Sequence, residues 1–150
     1  MTDIVDSRTR SRMMAGIKGK NTRPEVMVRR FLHAEGFRFR LHDLKLPGRP
    51  DIVLPKHKLV IFVHGCFWHR HQGCRYATNP EQNRERWQEK FRQNVERDRR
   101  QVSELVRQGW RVVVIWECSL RIRAPELSWL SEHIKGGIAS YVEWPTPCPH

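Results

Sequence analysis

The sequence predicts an α/β fold in which one mixed central sheet is flanked by helices, and three observations carry that expectation. Apolar runs at 51–54 (DIVL), 59–63 (LVIFV) and 111–116 (RVVVIW) have strand length, and the second is a continuous apolar run typical of a strand covered on both faces. A long polar helical segment over roughly 81–108 separates the last two, so the link between them is a crossover that leaves both strands parallel in one sheet. At 150 residues the chain is the size of one ordinary domain, expected to span 1–150.

Taken in order, residues 1–12 read as a polar arm carrying Arg8, Arg10 and Arg12 that leads into a short helix near 9–17, arm and helix together spanning 1–18. Thr22-Arg23-Pro24-Glu25 is a helix start, with Thr22 as N-cap, Pro24 in the first turn and Glu25 as the capping-box acid. This helix should run to about Glu35 and stop at Gly36. A strand at 37–41 (FRFRL) follows, and Pro55 to Lys58 joins the next two strands as a hairpin. Gly109 ends the long helix. A weaker helix near 125–135, a strand at 139–143 and an irregular tail at 144–150 complete the chain.

Charge narrows the partner. There are 28 Lys and Arg against 16 Asp and Glu, a formal charge of +12, more than solubility requires, which points to a polyanion and hence to nucleic acid. The N-terminal arm is then mobile or ordered by DNA. No stretch has the unbroken apolar length of a membrane span, and the N-terminus lacks the apolar core of a signal peptide, so a cytoplasmic protein that meets no membrane is expected. In a reducing compartment four cysteines favour metal ligation over disulfides.

The segment from His64 to Cys74 packs two thiols and three imidazoles into eleven residues, and the parallel topology brings Cys118 to the same sheet edge. Zinc takes thiolate and imidazole in a tetrahedron, and a closed structural site needs four such ligands, for which we select Cys66, His71, Cys74 and Cys118. The alternative is ordinary small core cysteines beside exposed histidines. Cys148, in the proline-rich tail, reads as a free thiol.

If the hairpin pairs 54 with 59, Asp51 lies opposite Phe62 with Val63 one residue beyond. A carboxylate there, beside the backbone oxygen of Val63, can hold magnesium; Asp51 can equally be a turn acid capping the loop Pro47-Gly48-Arg49-Pro50. Glu25 has a sufficient job in its capping box, yet it shares a face with Val28 and Leu32 and should point inward, where a carboxylate wants a cation or a proton-bearing partner. His69 sits among the zinc ligands without being needed by them, which frees it to act as a general base. His64 either organises the leaving group or makes a structural hydrogen bond.

With these residues in view the chain resembles the very-short-patch repair (Vsr) DNA mismatch endonucleases. The matching strings are Thr22-x-x-Glu25, Leu46-Pro47-Gly48-Arg49-Pro50-Asp51, Val60-Ile61-Phe62-x-His64-Gly65-Cys66-Phe67-Trp68-His69, Asn94 to Arg100, and Gly109-Trp110-Arg111-Val112 through Trp116-Glu117-Cys118. The resemblance covers residues from about 8 to 121. It implies a restriction-endonuclease-like core, a magnesium ion on Asp51 and the carbonyl of Val63, Glu25 reaching the water on that ion, His69 as base with His64 in support, and the zinc set selected above. It further implies strand-specific nicking 5′ of the thymine in T·G mismatches left by deamination of 5-methylcytosine, a 5′-phosphate product, a bacterial, nucleoid-associated setting and contacts with mismatch-repair proteins. Two departures stand out: the interval from His71 to Cys74 is one residue longer than in the family pattern, and Val63 replaces a more polar residue. The second acid and the lysine usual in restriction enzymes are missing, as in this family.

Phe67 and Trp68 beside His69, with Trp87 near the start of the long helix, could wedge between base pairs, and a wobble pair lowers the cost of unstacking. They could also be core, since Trp87, Phe91 and Val95 recur at helical spacing. The same stripe carries Asp98, expected to be a structural acid partnered by an arginine. The resemblance places contacts to the mismatch at Lys90, Asn94 and Met14. Arg84, Arg86, Arg92, Arg97, Arg99 and Arg100 are expected to meet phosphates or solvent. A single catalytic centre in a small chain predicts a monomer that cuts one strand per encounter. Two other readings stand beside this one: a non-catalytic zinc-stabilised DNA-binding module, and a restriction or damage endonuclease of the same fold.

Overall fold

A computed structural model describes residues 22–121 and 126–145. The expected N-terminal helix, Met14 and Cys148 lie outside the described residues. Helix α1 (Arg23–Ala34) opens on the predicted capping box: the Glu25 N–H donates to Thr22 Oγ1 at 3.4 Å and the Thr22 N–H donates to Glu25 Oε2 at 2.9 Å. It closes at Gly36, whose φ of 85° is the left-handed turn a glycine makes without steric cost, and the Phe37 N–H then reaches back to the Leu32 carbonyl. That reach-back explains a correction. The strand expected at 37–41 is only β1 (Arg40–Leu41), because Phe37 closes the helix and packs into the core instead of joining the sheet.

Strand β2 (Ile52–Leu54) turns through a 3-10 segment, Pro55–His57, with Lys58 left-handed at φ 52°, into β3 (Leu59–His64). The pairing is the predicted one: Leu54 faces Leu59, Val53 faces Val60 and Ile52 faces Ile61. A long loop leads to helix α2 (Arg84–Arg107), which starts three residues later than expected because Asn83 is left-handed at φ 55°. Strand β4 (Arg111–Trp116) pairs parallel with β3, as the crossover requires. A short helix α3 (Glu117–Leu120), which the pattern did not announce, follows directly; α4 (Ser128–Gly136) leads to β5 (Tyr141–Trp144), parallel to β4.

Among the described residues the sheet has five strands in the order β1-β2-β3-β4-β5, antiparallel through β3 and parallel beyond it. Its side chains alternate between two apolar layers, as a period of two dictates. Ile52, Leu54, Leu59, Ile61, Val113 and Ile115 pack on one face with Val28 and Leu32 of α1 and Leu130 and Ile134 of α4. Val53, Val60, Phe62, Val112, Val114 and Trp116 pack on the other with Leu105 of α2 and the cysteines Cys66, Cys74 and Cys118. The continuous apolar β3 is therefore covered on both faces, as are β2 and β4, and its carboxyl end, beside that of β4, is where the polar residues gather.

Candidate active site

Asp51 immediately precedes β2, and the register of the hairpin delivers it to the end of β3. The Val63 N–H donates to Asp51 Oδ2 at 2.7 Å, so the contact seen with residue 63 is through its amide. The preceding turn is drawn tight against the site. A Cβ on Gly48 (φ 77°) would lie 2.9 Å from Gln101 Oε1 and 3.1 Å from the Phe62 ring, so this position accepts only glycine without displacement.

Glu25 resolves its two readings by doing both. While closing the capping box it is 2% exposed and hydrogen-bonded to Asp51. Burial first, then the Glu25 carboxyl, pushes the Asp51 carboxyl up to about 8, against the opposing pull of the Val63 amide and Arg29. Two carboxyls forced together out of water hold a proton between them, and a cation can take that proton's place. His42 completes the cluster: the ligand atoms of Glu25, His42 and Asp51 all lie within 4.8 Å of one another. His42 was missed in the sequence, because its place follows from a β1/β2 register that the intervening long turn conceals.

The second cluster is made of His64, His69 and Asp98. Asp98 on α2 lies 2.7 Å from His69 Nδ1, whereas Arg97 Nη2 stands 3.6 Å away. The expected arginine is present as an ion pair with Arg97, and the closer partner, which the sequence did not announce, is an imidazole. Burial works against the charge of Asp98, but the His69 hydrogen bond, both imidazoles and Arg97 outweigh it and hold the carboxyl below its usual range. His64 stacks on His69 with ring centroids 3.9 Å apart. Burial first, and then His69, lowers the pKa of His64 to about 3, so this ring stays neutral. Glu25, His42, Asp51, Val63, His64, His69 and Asp98 line one cleft of about 910 Å³. The acids and the imidazoles therefore share one side of the molecule.

A third cluster lies behind the His69 loop. Cys66, His71, Cys74 and Cys118 are all buried, with ligand atoms within 4.8 Å of one another. His71 Nδ1 is 3.7 Å from Cys66 Sγ and 3.4 Å from Cys118 Sγ, and His71 Nε2 donates to the Pro145 carbonyl at 3.1 Å. That outer hydrogen bond leaves the Nδ1 lone pair facing the sulfurs, the tautomer a metal ligand needs. Burial pushes the Cys66 thiol up to about 12, so without a cation it would stay protonated. The donor set fits a tetrahedral metal, and the extra residue between His71 and Cys74 does not prevent it.

Phe67, Trp68, Trp87 and Phe91 form one aromatic cluster, with Phe67 centroids 5.0 Å from Trp68, 5.7 Å from Trp87 and 5.2 Å from Phe91. Phe91 is buried, while Phe67, Trp68 and Trp87 remain partly exposed. Asn94 donates from Nδ2 to the Trp68 carbonyl at 3.2 Å, and Lys90 Nζ stands 5.9 Å from the Trp68 ring, so both touch this cluster. Arg70 was missed in the sequence: its guanidinium donates to the carbonyls of Phe67, Ala77 and Thr78 and to Asn79 Oδ1, and lies 3.9 Å from the centroid of Phe91. A lone arginine in a run of histidines carries no sequence signal for that role.

Relatives bear on what this arrangement does. Residues 2–75 match the family described as DNA mismatch endonuclease Vsr. The chain is 49% identical over 120 residues to the type II nicking enzyme V.XorIIP of Xanthomonas oryzae pv. oryzae, covering 80% of this chain and 88% of that one. It is 47% identical over 124 residues to the type II nicking enzyme V.NmeAIP of Neisseria meningitidis, covering 83% and 88%. It is 46% identical over 123 residues to the DNA mismatch endonuclease Vsr of Escherichia coli, covering 82% and 78%. With the sheet, the acid pair and the paired imidazole in hand, these similarities lead to one conclusion: the chain belongs to the Vsr family of DNA mismatch endonucleases.

Proposed function

We propose that this protein nicks one strand of duplex DNA 5′ of the thymine in a T·G mismatch, leaving a 5′-phosphate. The observation that carries the reading is the His69–Asp98 pair opening on the same cleft as Glu25 and Asp51. Asp98 accepts from Nδ1–H, which leaves the lone pair of neutral His69 on Nε2, ready to take a proton from an attacking water. Neutral His64, stacked on His69, keeps a second positive charge away as His69 becomes imidazolium, and can donate a hydrogen bond at the leaving side. Glu25 and Asp51 would hold magnesium, with the Val63 backbone alongside. Bound there, it would supply positive charge against the charge that builds on the phosphate and the leaving 3′ oxygen. Cys66, His71, Cys74 and Cys118 would hold zinc, which pins the loop that carries His69 to the end of β4. The mixed sheet, with its acid at the β2 start, supports a restriction-endonuclease-like core.

Mismatch preference follows from cost. Partly exposed Phe67, Trp68 and Trp87 next to His69 can enter the base stack, and unstacking costs least at a wobble pair. Lys90 and Asn94, which touch Trp68, would meet the mismatched bases. Among the described residues the acids and imidazoles share one cleft, which fits a monomer that cuts one strand.

Duplexes carrying T·G, T·A or C·G at one position, in varied flanking sequence, test this. Magnesium-dependent nicking of the thymine strand of the T·G duplex is expected, lost in Asp51→Ala and in His69→Ala while binding survives. Equal cutting of matched duplexes would defeat the mismatch reading, and intact DNA with every divalent cation would leave a binding module.

A further inference from the structure

The acid pair has a neighbour that the reading above leaves idle. His42 Nδ1 lies 4.0 Å from Asp51 Oδ1, and the ring is held in place from three directions. The β1/β2 register, carried one residue past the Leu41 and Ile52 pair, sets His42 opposite Asp51, and its N–H donates to the Asp51 carbonyl at 3.2 Å. Its backbone is left-handed at φ 49°, a conformation uncommon for a non-glycine residue, and the residue lines the cleft. Arg29 Nη2 donates to Nε2 at 3.1 Å while standing 3.6 Å from Glu25 Oε2.

We infer that His42 is a nitrogen ligand to the divalent cation of the Glu25 and Asp51 site, giving a mixed nitrogen and oxygen donor set that binds manganese or cobalt more tightly than an all-oxygen site would while still accepting magnesium. The inference rests on the reading of Glu25 and Asp51 as the cation site. Magnesium is a hard ion that takes oxygen ligands and gives up its water reluctantly. Imidazole favours later transition ions, whose affinity for nitrogen rises along the series from manganese through cobalt. Metal bonds of about 2.1 Å set donor atoms roughly 3 to 4 Å apart, so donors already within 4.8 Å need only a small contraction.

Ligation asks for one rearrangement. Because Arg29 donates to Nε2, the ring proton now sits on Nδ1. For Nδ1 to become a ligand the ring changes tautomer, losing that proton to solvent and taking one from solvent on Nε2, so it carries the same net charge before and after. Arg29 must then turn off Nε2, and the Glu25 carboxylate it already faces can keep it. The other imidazoles of the cleft are engaged elsewhere: His69 on Asp98, and His64 stacked on His69.

The test is pulsed electron paramagnetic resonance of manganese bound to the full-length, zinc-loaded protein, with manganese and magnesium affinities titrated alongside. Nitrogen hyperfine coupling on bound manganese is expected in the unaltered protein, with no substitution required. In His42→Gln and His42→Ala the coupling should vanish and manganese affinity should fall about tenfold, while magnesium affinity changes less than about twofold. Bound manganese without nitrogen coupling, or coupling that survives both substitutions, overturns the assignment of His42 alone. Manganese that binds Asp51→Asn as tightly as the unaltered protein overturns the acid-pair reading itself and the ligand assignment with it.

Discussion

At Asp51 a proton and the proposed cation would compete for the same oxygens. The carboxyl is pushed up to about 8 in the metal-free fold, far above the 3.8 of an exposed aspartate, first by burial and then by Glu25. A raised acid contributes stability that is fully present below the unfolded pKa, near 4, and is lost as pH rises through the folded value, near 8. The metal-free protein should therefore lose stability across that window. By the same linkage divalent-cation affinity should climb by up to about tenfold per pH unit between 6 and 8, then level off. Calorimetry at pH 7 in buffers of different ionisation enthalpy should read about one proton released per cation bound; an affinity independent of pH would contradict it. Asp98 makes a second prediction at this scale. Asp98→Asn keeps the shape but can present the wrong hydrogen-bonding group to His69 Nδ1, so nicking should fall by about 10² to 10⁴ with little change in DNA affinity. A rate within threefold of the unaltered enzyme would leave Asp98 a merely structural acid.

Between β3 and α2 the chain crosses a long stretch with no regular element, held by a few backbone turns and by its side chains. Cys66, His71 and Cys74 tie it to Cys118 at the start of α3, while Arg70 ties it to itself through the carbonyls of Phe67, Ala77 and Thr78. His69, the proposed base, rides on this segment. Replacing Cys118 with Ser should lower bound zinc, cost roughly 3 to 5 kcal/mol of stability, and reduce nicking at least tenfold through the misplaced base. Metal analysis, thermal unfolding and the nicking assay read these three together, and full zinc content with an unchanged melting temperature would refute the assignment. Capping acts on a smaller scale. Thr22→Ala should cost α1 about 1 kcal/mol by freeing the Glu25 N–H, a loss that denaturant unfolding would register.

For the molecule as a whole the net charge of +12 sets how it meets DNA. Arg84, Arg86, Arg99 and Arg100 are exposed along α2, whereas Arg92 is already paired with Glu89 and Glu96. Phosphate contacts release counterions, so affinity should fall by roughly 10³ or more between 50 and 200 mM salt, for matched and mismatched duplexes alike. Their affinity ratio should hold, because the proposed aromatic wedge is uncharged, and a ratio that collapses with salt would place the discrimination in the charges. The amino-acid sequence by itself determined what depends on near neighbours and on period: the α1 capping box, the hairpin register that delivers Asp51 to Val63, the parallel β3 and β4, and the cluster of soft ligands. Only the tertiary structure decided what long-range packing brings together. The Asp98 stripe outlier met His69 as well as Arg97, His42 arrived at the acid pair through a register hidden by a long turn, and Phe37 left the sheet to close a helix. Local propensity and periodicity act over a few residues, whereas the partner of a buried polar group is settled by whichever distant element the core packs against it.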